Sequence, residues 1–213
     1  SLNNHLNNRG AAAFCAYNRL AYPTLIEARS RAAEEGGITS CVYSFTEIFL
    51  DELEHNHPAD ELAHWGVANS LHPISMAHAL IGLPMTWSGH RSGGLPWHPS
   101  GSVFVGSGVS EQDIPFSYHA DWGSKGRWSV EINTEESSYR LCPLEKLFSK
   151  KSSLSDWEEM PVAVYDNAAK AGVVEQLAAM IVPDIGRAVQ LMDLSQTARL
   201  TAFGEDVFGY SAS

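Results

Sequence analysis

The sequence is poor in several things, and each scarcity closes off a class of function. Only three cysteines, Cys15, Cys41 and Cys142, occur in 213 residues, and no two form a CxxC pair. An odd, scattered set argues against a disulfide framework and reads as reduced, buried thiols of a cytoplasmic protein. No run of 18 apolar residues exists, so no membrane span is expected, and the start carries no secretory signal. Basic residues are scarce: Lys plus Arg is 14 against 25 Asp plus Glu, a formal net charge of −11. Such a surface repels nucleic acid and anionic membranes, so neither is expected as a partner. Phosphate-cradling glycine motifs are missing. No GxGxxG follows a first strand, no GxxxxGK[ST] occurs, and GHRSGG (89–94) has neither spacing. No GxSxG is present, and no Ser/His/Asp or Cys/His arrangement can be assembled. What is plentiful is ordinary: 44% apolar and 18% charged residues, which suits a chain that buries a core and not a disordered one.

Ser1 in place of Met suggests a chain processed, tagged or cut from something longer, and residues 1–10 (SLNNHLNNRG) read as a flexible, polar segment. Residues 11–213 read as a single α+β domain. Ala11 to Tyr17 is an apolar run that fits a buried strand. Pro23 opens a helix whose Leu25, Ile26, Arg29, Ala32 and Ala33 share a face and which Gly36-Gly37 ends. Thr39 to Leu50 is β-branched and aromatic, a long strand, so the unit is strand, helix, strand with a parallel right-handed crossover. Residues 51–64 are a charged surface excursion. Asn69-Ser70 caps a helix over 70–81, with Pro73 in its first turn and Gly82 and Pro84 at its end.

From 85 to 145 the pattern is β. Strands fit 85–90, 102–109, 116–122, 128–134 and 138–141, with GSKG (123–126) and NTEES (133–137) as hairpin loops and 90–102 as a Gly/Pro loop. Helices fit 167–181, closed by Pro183, and 193–203, capped by Asp193. The sum is a large open, mostly antiparallel sheet with helices on one face. The strands of the other face mix apolar and polar groups, and that face is expected to meet a second copy in a homo-oligomer.

Several residues carry chemistry. His55 and His57, with Asp51, Glu52, Glu54 and His64 nearby, invite a metal reading, but a solvated acidic loop explains them better, and no metal is expected. His72 sits in the first turn of its helix, where unpaired N–H groups and the helix dipole disfavour the imidazolium. A neutral imidazole there suits exchange of a proton with a substrate hydroxyl, whereas a packing role is the plainer alternative. His78, six residues on, is off that face and reads as structural. Lys125 and Arg127 are cations that fit a phosphate or carboxylate, though hairpin loops commonly carry solvated charge. Trp122 and Trp128 read as core rather than stacking platforms. Arg19 is either an anchoring cation or a salt-bridge partner. Lys170, at the start of a helix, is electrostatically misplaced unless something holds it. Glu145 reads as a partner to a neighbour.

Four segments in order resemble one family. AYNRLAYPTLIEARSRAAEEGGITSCVYSFTE (16–47), ANSLHPISMAHALIGLP (68–84), DWGSKGRWSVEINTEESSYRLCPLEKL (121–147) and AKAGVVEQLAAMI (169–181) are similar to the C-terminal domain of the Gfo/Idh/MocA oxidoreductases. That resemblance implies an N-terminal Rossmann domain, missing from this chain, that binds NAD or NADP, and a second domain that holds substrate and makes subunit contacts. It implies that His72 is the catalytic-helix histidine, and that Arg19, Asn69 and Lys170 can contact a sugar-like substrate. The chain departs from the family pattern in two places: Ala68 stands where an aspartate precedes the histidine by four, and Ser75 stands where another follows by three. The resemblance places the family's acid/base lysine, in an EKP-like motif, upstream of this chain, and no EKP occurs in it.

The resemblance therefore implies the substrate-binding and oligomerisation domain of an NAD(P)-dependent oxidoreductase acting on a sugar or polyol derivative, inactive without its nucleotide domain. A non-catalytic dimerisation or interaction module with the same sheet is the alternative, favoured by Ala68 and Ser75. A small acidic metal-binding domain built on 51–64 is a third.

Overall fold

A computed structural model describes residues 13–47, 56–162 and 170–210. Eight strands form one sheet: β1 (Ser40–Ser44), β2 (Pro84–Ser92), β3 (Val103–Ser110), β4 (Pro115–Asp121), β5 (Ser129–Asn133), β6 (Ser138–Leu141), β7 (Leu147–Lys150) and β8 (Glu158–Met160). Their order is β2-β3-β4-β1-β5-β6-β7-β8. Every neighbouring pair is antiparallel except β1 with β4, where Cys41 faces Phe116 and Tyr43 faces Tyr118. The described helices are α1 (Pro23–Glu34), α2 (Ala59–Ala63), α3 (Leu71–Ile81), α4 (Val173–Ile181), α5 (Pro183–Val189) and α6 (Leu194–Phe208).

Alternation sets the layers. Cys41, Tyr43 and Phe45, then Phe116, Tyr118 and Ala120, then Val130 and Ile132 are buried on one face of the sheet. Leu25 and Ala28 of α1, Ile74, Ala77 and Ile81 of α3, and Leu200 and Phe203 of α6 join them in one core. Each fully buried Phe or Ile side chain contributes about 1.5–3 kcal/mol by leaving water. The other face is open: Val42 is 47% exposed and Val105 37%.

The strands of the meander fall within a residue or two of their sequence positions, apart from β2, which runs on to Ser92. Helix α1 starts at Pro23, its carboxyl end passes into Gly36 and Gly37 at positive φ, and Asp193 caps α6 through a reciprocal bond with Gln196. Several expectations need correction. Residues 13–17 form no regular strand; Phe14 makes only an isolated bridge to Asp193 (residues 11 and 12 lie outside the described set). There is accordingly no strand–helix–strand unit, and the parallel partner of β1 is β4, 75 residues ahead in register. The strand expected over 39–50 stops at Ser44, and residues 48–50 are not described. It stops because Thr46 Oγ1 takes the place of a ladder acceptor, receiving the Asp121 backbone N–H at 2.9 Å.

GSKG is not a hairpin loop, since β1 lies between β4 and β5, whereas NTEES does join β5 to β6. Strands β7 and β8 were not expected. Pro183 follows the end of α4 at Ile181, as expected, and also opens α5, where a missing N–H costs nothing. Of the helix expected over 167–181, the described part begins only at Val173, residues 167–169 being outside the described set. The flexible 1–10 segment and residues 51–55 of the charged excursion also lie outside it; within that excursion, residues 59–63 are helical. No described helix is long and apolar enough to cross a membrane, and Cys15, Cys41 and Cys142 are free thiols.

Candidate functional site

The chain enters α3 through a wide turn, Gly66–Ser70, wound as a π-helix. Such turns displace side chains from the regular helical face and are frequent at functional sites. Gly66 permits the close approach: a Cβ there would lie 2.3 Å from the Phe208 ring. Ser70 was expected to cap α3, but no side-chain cap bond forms. Ser70 is itself in the αR conformation, continuing the preceding turn, and its hydroxyl donates to Glu47 Oε1 at 2.6 Å. Asn69 Nδ2 donates to Glu47 Oε2 at 3.1 Å, and Trp128 Nε1 donates to Glu47 Oε1 at 3.3 Å. Asn69, expected to face substrate, therefore has an amide hydrogen committed to this carboxylate.

Glu47 escaped the sequence reading. It is 4% exposed, and burial pushes its carboxyl up to about 7 against the pull of Ser70, Trp65, Trp128 and Asn69. Its one sequence signal is a carboxylate directly after the run of buried β1 residues, and that signal is weak.

His72 stands in the first turn of α3 as expected, half-buried, its ring edge-on to Tyr17 at 5.8 Å. Its pKa falls to about 4. The cause is first burial and then the charges of Arg19 and Lys170, rather than the helix terminus invoked from sequence. The imidazole is thus neutral at pH 7. Its Nδ1 is buried and has no hydrogen-bond partner, which is unusual for a folded protein. Ser75 does not replace the missing aspartate at the ring, because its hydroxyl donates back to the His72 carbonyl at 2.8 Å.

Arg19 and Lys170 are brought to this histidine by a two-stranded joint. Asn18 Nδ2 donates to the Ala171 carbonyl at 2.7 Å, and Gln176 Nε2 donates to the Cys15 carbonyl at 2.9 Å. Gly172, at φ 79°, closes the joint; a Cβ would sit 2.1 Å from the Asn18 carbonyl oxygen. Lys170 lies just ahead of α4 and not in it, two residues before the Gly172 N-cap. Arg19 lies over the Trp128 ring at 4.7 Å, so Trp128 is a platform as well as a core residue, while Trp122 is fully buried. The Arg19 Nε is buried and has no partner.

Other candidates fall elsewhere. Lys125 and Arg127 are exposed. Glu145 accepts from the Tyr22 hydroxyl at 3.4 Å and lines a groove of about 510 Å³ with Thr24, Leu147, Met160 and Val162. His78 is buried between the Tyr43 hydroxyl and the Gly82 carbonyl, a structural role as read. His57 pairs with Glu61 at 3.2 Å and His64 Nδ1 lies 3.0 Å from the Asp60 carbonyl; His55 and 51–54 are outside the described residues. Among the described residues no group of three or more His, Cys, Asp or Glu is placed to hold a metal ion.

A neutral imidazole beside two cations can accept or deliver a proton at a hydroxyl, and the cations can stabilise the oxyanion left behind. A dinucleotide does not fit these residues. The one glycine N-cap among the described helices, Gly172, is filled by Asn18 and offers no open amide cradle.

No family model matches the sequence, and no curated protein matches it by sequence. Solved structures match its fold. An inositol dehydrogenase homolog from Azotobacter vinelandii, solved with NADH and myo-inositol, superimposes with TM-score 0.66 at 12% identity, over 98% of this chain and 64% of that one. UDP-N-acetylglucosamine 3-dehydrogenase from Acidithiobacillus ferrooxidans gives 0.69 at 11% identity, over 98% and 64%. Levoglucosan dehydrogenase, solved with NADH, gives 0.65 at 12% identity, over 93% and 63%. The chain therefore spans just under two thirds of the length of these neighbours. The chain has the fold of the part of these dehydrogenases that it covers.

Proposed function

We propose that this chain is the substrate-binding and oligomerisation domain of an NAD(P)-dependent oxidoreductase acting on a sugar or polyol derivative. The observation that carries the reading is the His72 imidazole: neutral, half-buried, unpartnered at Nδ1, and set beside Arg19 and Lys170. His72 exchanges the hydroxyl proton of a polyol. Arg19 and Lys170 hold its oxygens and favour the alkoxide. Hydride chemistry would come from NAD or NADP held by a separate nucleotide domain, and none of the residues named here would hold it. The carbohydrate chemistry named for the structural neighbours supports the substrate class. The three free thiols support a cytoplasmic setting.

Among the described residues there is no dinucleotide cradle, and the chain alone is expected to be inactive. Mixed with NAD⁺ or NADP⁺ and a panel of sugars and inositols, it gives no absorbance of reduced cofactor; turnover by the chain alone overturns this part of the reading. Myo-inositol or a hexose at saturating concentration shifts the NMR signals of His72. If no member of the panel moves them, the non-catalytic module takes precedence, in keeping with Ala68 and with the inward-turned hydroxyl of Ser75.

The open sheet face, with Val42 and Val105 among serines and threonines, meets a second copy of the chain. Sedimentation velocity at high protein concentration then shows a dimer or larger species, and a clean monomer removes the oligomerisation role.

A further inference from the structure

The resembling family carries an aspartate four residues before the histidine, where this chain has the exposed Ala68. A carboxylate nevertheless reaches the same turn, from a different element. Glu47, just beyond β1, accepts from both residues that follow Ala68: Asn69 on one oxygen and Ser70 on the other. The oxygen that takes Ser70 also takes the Trp128 indole, and that indole is the surface on which Arg19 rests.

We propose that Glu47 is a positioning residue of the His72 site. It ties the end of β1 to the turn that launches α3 and to the indole that carries Arg19, and so fixes imidazole and guanidinium relative to each other. The proposal rests on the reading of His72 as the substrate site.

The physical argument is the cost of the arrangement. A carboxyl group taken out of water is expensive, and apolar residues of similar volume commonly serve a core at least as well. A buried carboxyl gives in return geometric definition: two oxygens at fixed angles receive three donors from two parts of the chain, the 69–70 turn and Trp128. Removing it strands those donors, and the turn and the indole lose their common anchor. The charged and titratable groups around Glu47 among the described residues are Arg19 across the Trp128 ring, His72 on the following turn, and His57, edge-on to the Trp65 ring at 4.8 Å.

The test uses the chain itself, with histidine and tryptophan labelled for NMR. Glu47→Ala is expected to shift the Trp128 indole N–H and the His72 imidazole signals, and Glu47→Gln, which keeps an oxygen for Ser70 and Trp128, is expected to restore most of both positions. A folded Glu47→Ala chain with both signals unmoved overturns the proposal, whatever its loss in melting temperature. Should Glu47→Ala fail to fold, a pH titration decides. In the wild type the Trp128 and His72 signals follow a common inflection near neutrality, and Glu47→Gln abolishes it. An inflection that is missing from the wild type, or that survives in Glu47→Gln, overturns the proposal. Repeating the titration in His57→Gln removes the imidazole that lies against the Trp65 ring. No turnover is read, so the outcomes separate: a chain that shows the shifts but binds no polyol keeps Glu47 as an anchor and loses the substrate reading.

Discussion

His72→Ala, in the enzyme completed by its nucleotide domain, is expected to lower kcat by about 10²–10⁴-fold, the ordinary worth of a positioned acid or base. KM for the polyol should change far less, because Arg19 and Lys170 remain to bind it. Stability should fall only slightly, since the ring is half-buried, makes one edge contact with Tyr17 and has an unpartnered Nδ1. The pH profile gives a second handle. With its pKa drawn down to about 4, His72 is neutral through the physiological range, so an activity that needs the neutral imidazole as base loses its acid limb only near pH 4. A profile whose acid limb falls near 6.5 would mean that the imidazole is solvated and free of the two cations. A kcat unchanged in His72→Ala, with melting temperature as the only casualty, would assign the residue to packing and leave the chain as a non-catalytic module.

Much of this fold can be read from alternation. Val130 and Ile132 point inward between polar neighbours, as do Phe116, Tyr118 and Ala120, and period-two burial marks a strand wherever one face is wet. The cap of α6 is equally legible, because Asp193 and Gln196 carry their own geometry in a four-residue pattern. What fails is whatever depends on distant partners. Nothing local says that β1 is inserted between β4 and β5, so GSKG looked like a hairpin. Nothing local marks β8, whose three residues Glu158–Met160 begin with two glutamates and are held by pairing with β7. The site divides in the same way. His72 is visible from its helix position, and its neutrality is anticipated, but through the wrong cause. Glu47 is invisible, because its donors come from 22, 23 and 81 residues away. The bond from Asn69 to Glu47 is hidden for the same reason.

Stability should depend on pH in two opposed ways that variants can separate. His78 is fully enclosed, and burial lowers its pKa to about 4 from an ordinary value of 6.5. Gly82 O can only accept, so His78 Nδ1 carries the proton and Nε2 accepts from the Tyr43 hydroxyl. Between pH 4 and 6.5 the unfolded chain binds this proton and the folded chain does not. The contribution of His78 to stability is therefore complete above 6.5 and is lost as pH falls toward 4. A shift of this size corresponds to about 3 kcal/mol. Glu47 works in the other direction. Its carboxyl is raised from 4.5 to about 7, so the folded chain holds the extra proton, and this group's contribution falls as pH rises through that window, again by about 3 kcal/mol. In urea denaturation at a series of pH values, His78→Gln should be most destabilised near pH 7, with its deficit shrinking on acidification. Glu47→Gln should show the reverse, a deficit largest near pH 4.5 that narrows toward pH 8. Because the two windows overlap, the wild-type curve alone hides both effects, whereas the difference curves have opposite slopes. Two variant curves running parallel to the wild type between pH 4.5 and 8 would mean that neither group is as enclosed as the packing around Tyr43 and Trp128 requires.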